Sequence, residues 1–363
     1  MSLDIKRTSR FIYLFCFAFF VCCSSGQRGF EFNNDSIYPP TSILALNSES
    51  VYLPEISELK AKKNDESFNH LVISHFSDIH GSKANLERIL EFCNHYQLYI
   101  DDILHTGDIV YNQFTDDFFY WKEAGADRIL NTIGNHDTAY RDEANGKWDV
   151  WAHAGKDCYD KFFAPFISSW GVMQPKDAIK DGACYYYKDY SDSGIRLIVL
   201  DCMKYDSIQN SWFADVLSDA YHSNYAVICV SHFAAGKLDH STENVFDSKS
   251  PVENTSGFIN ESASKLVDSY IDYGGEFICW LGGHIHIDSC AKLLLHPRQI
   301  CINVAEAMCS GAFGDQKRVL GTKSQDLFNI VSVNRNTREL TLLRVGADID
   351  VLGRRRFKYV INY

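Results

Sequence analysis

Five clusters of ionisable and amide side chains stand directly behind apolar runs. Asp78-Ile-His80 follows Leu71 to Ile73, Gly107-Asp108 follows Ile103-Leu104, and Gly134-Asn135-His136-Asp137 follows Ile129 to Ile133. Ser231-His232 comes after Tyr225 to Val230, and Gly282-Gly283-His284-Ile-His286 after Phe277 to Leu281. A polar group at the end of a buried segment must be hydrogen-bonded, ionised against a partner or bound to a cation, because leaving it unpaired costs roughly 1–3 kcal/mol. Aspartate, asparagine and several histidines, with no thiolate among them, form a donor set for borderline divalent ions. The clusters offer more donors than one ion needs, which suits a pair. Two ions can share a carboxylate and a water, and the bridging hydroxide is then the nucleophile of phosphoester hydrolysis.

The elements that would position these groups are legible in the periodicity. The five runs and a sixth, Ile195 to Leu200, have strand rather than helix length. Ala84 to Tyr96, Ser211 to Tyr221 and Ala263 to Tyr273 carry helical patterns between them, and alternation of this kind predicts an α/β architecture with largely parallel sheets. In such sheets ligands bind outside the carboxyl ends of the strands, so the clusters are expected to converge there. Asp326 to Val333 and Glu339 to Val345, joined across Asn334 to Thr337, read as a β-hairpin.

The order D-x-H, G-D, G-N-H-D, H, G-H-x-H, running from about residue 70 to 290, resembles the calcineurin-like metallophosphoesterase superfamily. The resemblance implies a four-layer αββα sandwich, two mixed sheets flanked by helices, in a domain over 69–363. It also implies two divalent metal ions, Mn, Fe, Zn, Ni or Co. Asp78, His80 and His286 would hold one, Asn135, His232 and His284 the other, with Asp108 bridging. His136 would face the substrate, stabilising phosphoryl oxygens or protonating the leaving group, and Asp137 would orient it. Tyr111 stands where purple acid phosphatases carry a metal-bound tyrosine, but His80 already fills that coordination role, so Tyr111 is read as packing. The signature of the protein serine/threonine phosphatases does not continue after Asp108, where the chain reads Ile-Val-Tyr-Asn.

The 363 residues carry a formal net charge of −12, which argues against a protein whose main task is gripping nucleic acid. Lys6, Arg7 and Arg10, then Phe11 to Val21, then Cys22, Cys23 and Ser24 follow the order of a secretory signal over 1–25. Export to the periplasm, the medium or the cell surface is therefore expected, with Cys22 or Cys23 as an alternative lipid anchor and the only expected membrane link. Residues 26–68 read as an irregular arm. Cys202, Cys229 and Cys279 are expected as buried thiols, and Cys158 with Cys184 as a possible disulfide. Asp201 is expected to cap a turn, and His75 and His105 to be buried histidines without a ligand role.

The aromatic stretch within about 138–190 is expected mainly to pack onto the body, with Tyr140 and Arg141 as candidate substrate contacts. C-terminal strands are expected over about 296–363. The function expected is an exported metal-dependent hydrolase of phosphomonoesters or phosphodiesters, acting on a phosphorylated small molecule, with no protein partner evident. The alternatives are a nuclease or cyclic-nucleotide phosphodiesterase of the same superfamily, and a non-catalytic binding protein that retains the fold.

Overall fold

Apolar runs of strand length form the centre of the molecule because both of their faces are covered. In the computed structural model, which describes residues 44, 56–57, 70–239, 241, 244–245, 259, 261–286, 288–308, 318–319, 321–347 and 358–363, the strands in chain order are as follows. They are β1 (Leu71–Phe76), β2 (Asp102–His105), β3 (Ile129–Asn131), β4 (Tyr140–Arg141), β5 (Trp148–Asp149), β6 (Tyr186–Tyr190), β7 (Ile195–Val199), β8 (Ala226–Val230), β9 (Asn244–Val245), β10 (Phe277–Gly282), β11 (Ser289–Lys292), β12 (Ile300–Asn303), β13 (Leu327–Asn334), β14 (Glu339–Gly346) and β15 (Lys358–Asn362). The three long helices are α1 (Lys83–His95), α2 (Ser207–His222) and α3 (Glu261–Asp272).

One sheet has the order β15-β14-β13-β1-β2-β3, the other β6-β7-β8-β10-β12-β11-β9, and β4-β5 is a separate hairpin. Strands β1, β2 and β3 are parallel, as are β7, β8, β10 and β12; the flanking strands are antiparallel. Hydrogen bonds cross between the sheets, from Thr132 Oγ1 to the Leu200 carbonyl (2.9 Å) and from the Asn131 amide to the Tyr186 hydroxyl (3.0 Å). Outside this double layer, α1 packs Phe92 on Phe328 of β13, and α2 packs Phe213 near Trp280 of β10. The result is the expected sandwich of two mixed sheets flanked by helices.

Each long helix has a local reason to form. The Asp206 side chain accepts the amides of Ile208 and Gln209 at the N-terminus of α2. Leu86, Ile89, Leu90 and Cys93 give α1 a buried stripe at helical spacing. The hairpin expected near the end is present as β13 and β14, paired from Leu327↔Gly346 to Asn334↔Glu339.

The aromatic stretch mostly packs, as expected: Phe162, Phe163, Phe166 and Trp170 are buried, whereas Trp151 is exposed. Trp148 lies on the β4-β5 hairpin. Cys158 and Cys184, considered as a disulfide, are separate buried thiols; Cys158 Sγ donates to the Asp137 carbonyl (3.3 Å) and Cys184 Sγ lies 3.8 Å from the Gly155 carbonyl. Cys202, Cys229 and Cys279 are buried free thiols. The signal segment and nearly all of the arm over 26–68 lie outside the described residues. No helix among the described residues is long and apolar enough to cross a membrane.

Candidate metal centre

Parallel strands deliver their following residues to one rim. Asp78 and His80 follow β1, Asp108 follows β2, Asn135 opens the turn after β3, His232 follows β8, and His284 and His286 follow β10. Side chains this short reach a common point only if the backbone bends sharply behind each strand. It does so through the left-handed region, at Asp78 (φ 53°), His80 (45°), Asp108 (61°), His284 (68°) and His286 (55°). Non-glycine residues avoid this conformation, which costs on the order of 1–3 kcal/mol each and clusters where geometry serves function. Two glycines permit the close approach. A Cβ on Gly134 would collide with the Asp108 carboxylate, and one on Gly283 with Ser77 and the Asp78 carboxylate.

The side chains meet in three overlapping groups whose donor atoms lie within 4.8 Å of one another: Asp78, His80 and His286; Asp108, His232 and His284; and His80, Asp108 and His136. Asp78 Oδ1 lies 3.1 Å from His286 Nε2 and 3.7 Å from His80 Nε2, and Asp108 Oδ2 lies 3.2 Å from His232 Nε2. Asn135 Oδ1 is 3.2 Å from the same His232 nitrogen. Each aspartate spends its other oxygen on a backbone amide: Asp78 Oδ2 accepts from His284 (3.0 Å) and Asp108 Oδ1 from His136 (2.9 Å). Asp78 Oδ1 and Asp108 Oδ2 are thus buried without a hydrogen bond, facing imidazoles. Two inward carboxylate oxygens, an amide oxygen and converging imidazole nitrogens fit divalent ions of the borderline class.

Electrostatics within the cluster are strongly polarised. Burial opposes charging His232 and His286, but Asp108 beside one and Asp78 beside the other raise each imidazole to about 9. Burial would likewise raise the two carboxyls, yet these imidazolium neighbours hold both below the usual carboxylate range. His80 and His284 go the other way, to about 3, through burial and repulsion from neighbouring histidines. The two carboxylates thus favour charge on the imidazoles they face, while burial keeps the other two neutral.

His136 sits on the turn Asn135–Thr138 with about a quarter of its side chain exposed, its Nε2 3.9 Å from Asp108 Oδ2 and its ring edge-on to His80 at 4.8 Å. Asp137 differs from expectation. Its carboxylate does not orient His136 but accepts four backbone amides: Asp108 (3.0 Å) and Gly134 (2.9 Å) on Oδ2, Ile109 (2.8 Å) and Val110 (3.1 Å) on Oδ1. Burial and the Asp108 charge push this carboxyl up to about 7, while the Gly134 and Val110 amides pull it down. The helical turn points the side chain at residue 137 back toward the β2 loop, so Asp137 fixes the backbone that carries Asp108.

Tyr140 and Arg141 lie on the exposed β4-β5 hairpin; the Tyr140 ring is edge-on to His153, and the Arg141 guanidinium lies 5.8 Å from the Trp148 ring centre. Tyr111 is half-buried beside Gly81. Asp201 caps its turn as expected, accepting the Met203 (2.9 Å) and Lys204 (3.1 Å) amides. His75 and His105 are buried behind the rim, bonded to Thr106 and Asn131. Sequence reasoning missed Glu306, a buried carboxylate 3.4 Å from His286 Nδ1. The signal was available, since Glu306 follows the apolar run Ile300 to Ala305 as the other site residues follow theirs.

The family profile described as calcineurin-like phosphoesterase matches residues 71–288. Among solved structures, a dimetal phosphatase from Danio rerio superposes with a TM-score of 0.50 at 11% identity, covering 81% of this chain and 99% of that one. A conserved uncharacterised protein of Streptococcus pneumoniae described as a predicted phosphoesterase gives 0.35 at 11% identity, covering 82% and 99%. The protein TT1561 of Thermus thermophilus gives 0.39 at 9% identity, covering 74% and 96%. No curated protein sequence matches the chain significantly. With its five motifs meeting where the carboxyl ends of the two sheets' parallel strands come together and the family profile spanning them, the chain belongs to the calcineurin-like phosphoesterases, hydrolases of phosphoester bonds that use two divalent metals.

Proposed function

We propose that the protein is an exported phosphoesterase acting on phosphomonoesters or phosphodiesters of small molecules. The observation that carries the reading is the pairing of two inward carboxylate oxygens, on Asp78 and Asp108, with separate imidazole sets across one rim. In this reading Asp78, His80 and His286 would hold one ion, Asn135, His232 and His284 the other, and Asp108 would serve both. Bound there, two divalent ions would supply Lewis acidity and lower the pKa of a solvent water toward neutral.

The chain's own groups do the rest. Asp137 holds the loop of Asp108 rigid through four amides, so the shared carboxylate is preorganised. His136, partly exposed beside Asp108 and His80, donates a hydrogen bond to a phosphoryl oxygen or a proton to the leaving group. Tyr140 and Arg141 on the neighbouring hairpin are the substrate contacts. Export rests on the order of basic, apolar and small residues over 1–25. The net charge of −12 favours small phosphoesters over nucleic acid.

Purified protein supplied with Mn, Fe, Zn, Ni or Co should release p-nitrophenol from mono- or bis-p-nitrophenyl phosphate. Absence of metal-dependent release with every one of these ions would favour a binding protein that kept the fold.

A further inference from the structure

We infer that Glu306 is a positioning residue for His286, holding its imidazole so that Nε2 is presented to the cation beside Asp78. The inference rests on the metal assignment proposed above and extends it to a residue outside the matched segment of the chain.

Three observations carry it. Glu306 is 2% exposed, and its Oε2 lies 3.4 Å from His286 Nδ1 while Nε2 of the same ring lies 3.1 Å from Asp78 Oδ1. The imidazole is thus placed between two carboxylates, one on each nitrogen; with Glu306 Oε2 at ion-pair distance, the tautomer protonated on Nδ1 is the one this carboxylate favours, and that tautomer leaves Nε2 free to coordinate.

The second observation is how firmly the carboxylate is mounted. Beyond β12 the chain bridges to the residues that follow β1, pairing Ser77 with Glu306, and the Ala307 amide donates to the Ser77 carbonyl (2.8 Å) while Met308 donates to the carbonyl of Asp78 itself (3.3 Å).

The third is Arg318, whose guanidinium gathers this segment. It donates to the Glu306 carbonyl, to Ala307 (2.8 Å) and Met308 (3.1 Å), and on the other side to Ser324 (3.1 Å) and Gln325 (2.8 Å). A mounting that ties Glu306 to the backbone of the metal-facing Asp78 is what a carboxylate acting through a ligand requires. The histidine that faces Asp108, His232, is backed instead by the neutral Thr106 carbonyl, 2.7 Å from its Nδ1.

The test is Mn(II) titration of full-length metal-stripped protein, read by calorimetry and elemental analysis, for wild type, Glu306→Ala, Glu306→Gln, His286→Ala and His284→Ala. Glu306→Ala should weaken one of the two Mn(II) sites by about 10- to 100-fold and spare the other. The weakened site should be the one that His286→Ala also weakens, by more but still measurably, and that His284→Ala leaves unchanged. Glu306→Gln, which retains an acceptor of the same shape, should recover part of the loss. Adding Glu306→Ala to His286→Ala should cost that site nothing further.

Equal weakening of both sites, or an additive loss in the double variant, would overturn the inference. If Glu306→Ala does not fold, the Gln variant decides alone: unchanged Mn(II) affinity at both sites overturns the inference, and selective weakening supports it. Because the readout is metal binding, wild-type protein that binds two Mn(II) but hydrolyses no phosphoester would refute the proposed activity and leave this inference standing.

Discussion

Around Asp78 and around Asp108 the chain builds the same device twice. One carboxylate oxygen takes a backbone amide and the other faces an imidazole raised to about 9, while a second histidine nearby is held neutral at about 3. The halves differ in what stands behind them. His286 is backed by the Glu306 carboxylate, His232 by the Thr106 carbonyl. Asp108 is further mounted on a loop whose amides are collected by Asp137, whereas Asp78 has no such collector among the described residues: its carbonyl and that of Ser77 are tied to the Met308 and Ala307 amides. A charged backing partner raises ligand basicity more than a neutral one. Under the proposed assignment, the Asp78 half would favour retention of its ion and the Asp108 half the placing of a shared carboxylate.

The comparison breaks most completely at the shared residue. Asp108→Ala should empty or disorder both halves and lower kcat/KM by more than about 1,000-fold, beyond the cost of a single electrostatic donor. Elemental analysis beside kinetics checks it, and two ions retained per chain would mean Asp108 does not bridge. His136→Ala should lower kcat by about 100- to 10,000-fold at unchanged metal content, the scale of a lost proton donor. Equal metal loss in the two variants would refute the division of roles.

A pH series sharpens the contrast between protons and cations. His232 and His286, at about 9 in the folded protein, must each give up a proton before coordinating. Metal uptake near pH 7 should then release about two protons per chain, and affinity should climb as pH rises toward 9. Calorimetry in buffers of different ionisation enthalpy reads the proton count.

The sign for folding is opposite. With folded values above the unfolded value of about 6.5, the same pairs stabilise the metal-free protein fully below that pH, and their contribution is lost as pH rises through about 9. Metal-free protein should melt at progressively lower temperature across that window, and metal-loaded protein should not. The smallest effect lies outside both halves: Tyr140→Ala should raise KM a few-fold, about 1 kcal/mol of lost contact, with kcat and metal content unchanged.

Much of this arrangement was readable before any coordinates. Strand runs such as Leu71 to Ile73 and Phe277 to Leu281 were visible because a fully buried strand is continuously apolar, and the residues behind them stood out as polar intrusions. Asp137 was visible as a residue but not in its role. Adjacency to His136 suggested a pair, whereas the helical turn sends its side chain to amides of the neighbouring strand's loop, a contact that exists only after β2 and β3 pair. Glu306 stands behind its run as the other site residues do, but its partner was hidden for a related reason, since the link to His286 depends on β12 lying parallel to β10 and bridging to the end of β1. Cys158 and Cys184 show the limit of composition. The cysteine count left a bridge between them possible, but each thiol finds a backbone carbonyl instead.

The central claim is that two cations sit on opposite sides of Asp108. Anomalous diffraction from crystals grown with Mn(II) tests it most directly. The account predicts two peaks, one against Asp78, His80 and His286 and one against Asn135, His232 and His284, with the Asp108 carboxylate reaching both. A single peak at saturating Mn(II), or two peaks with Asp108 bound to neither, would contradict it.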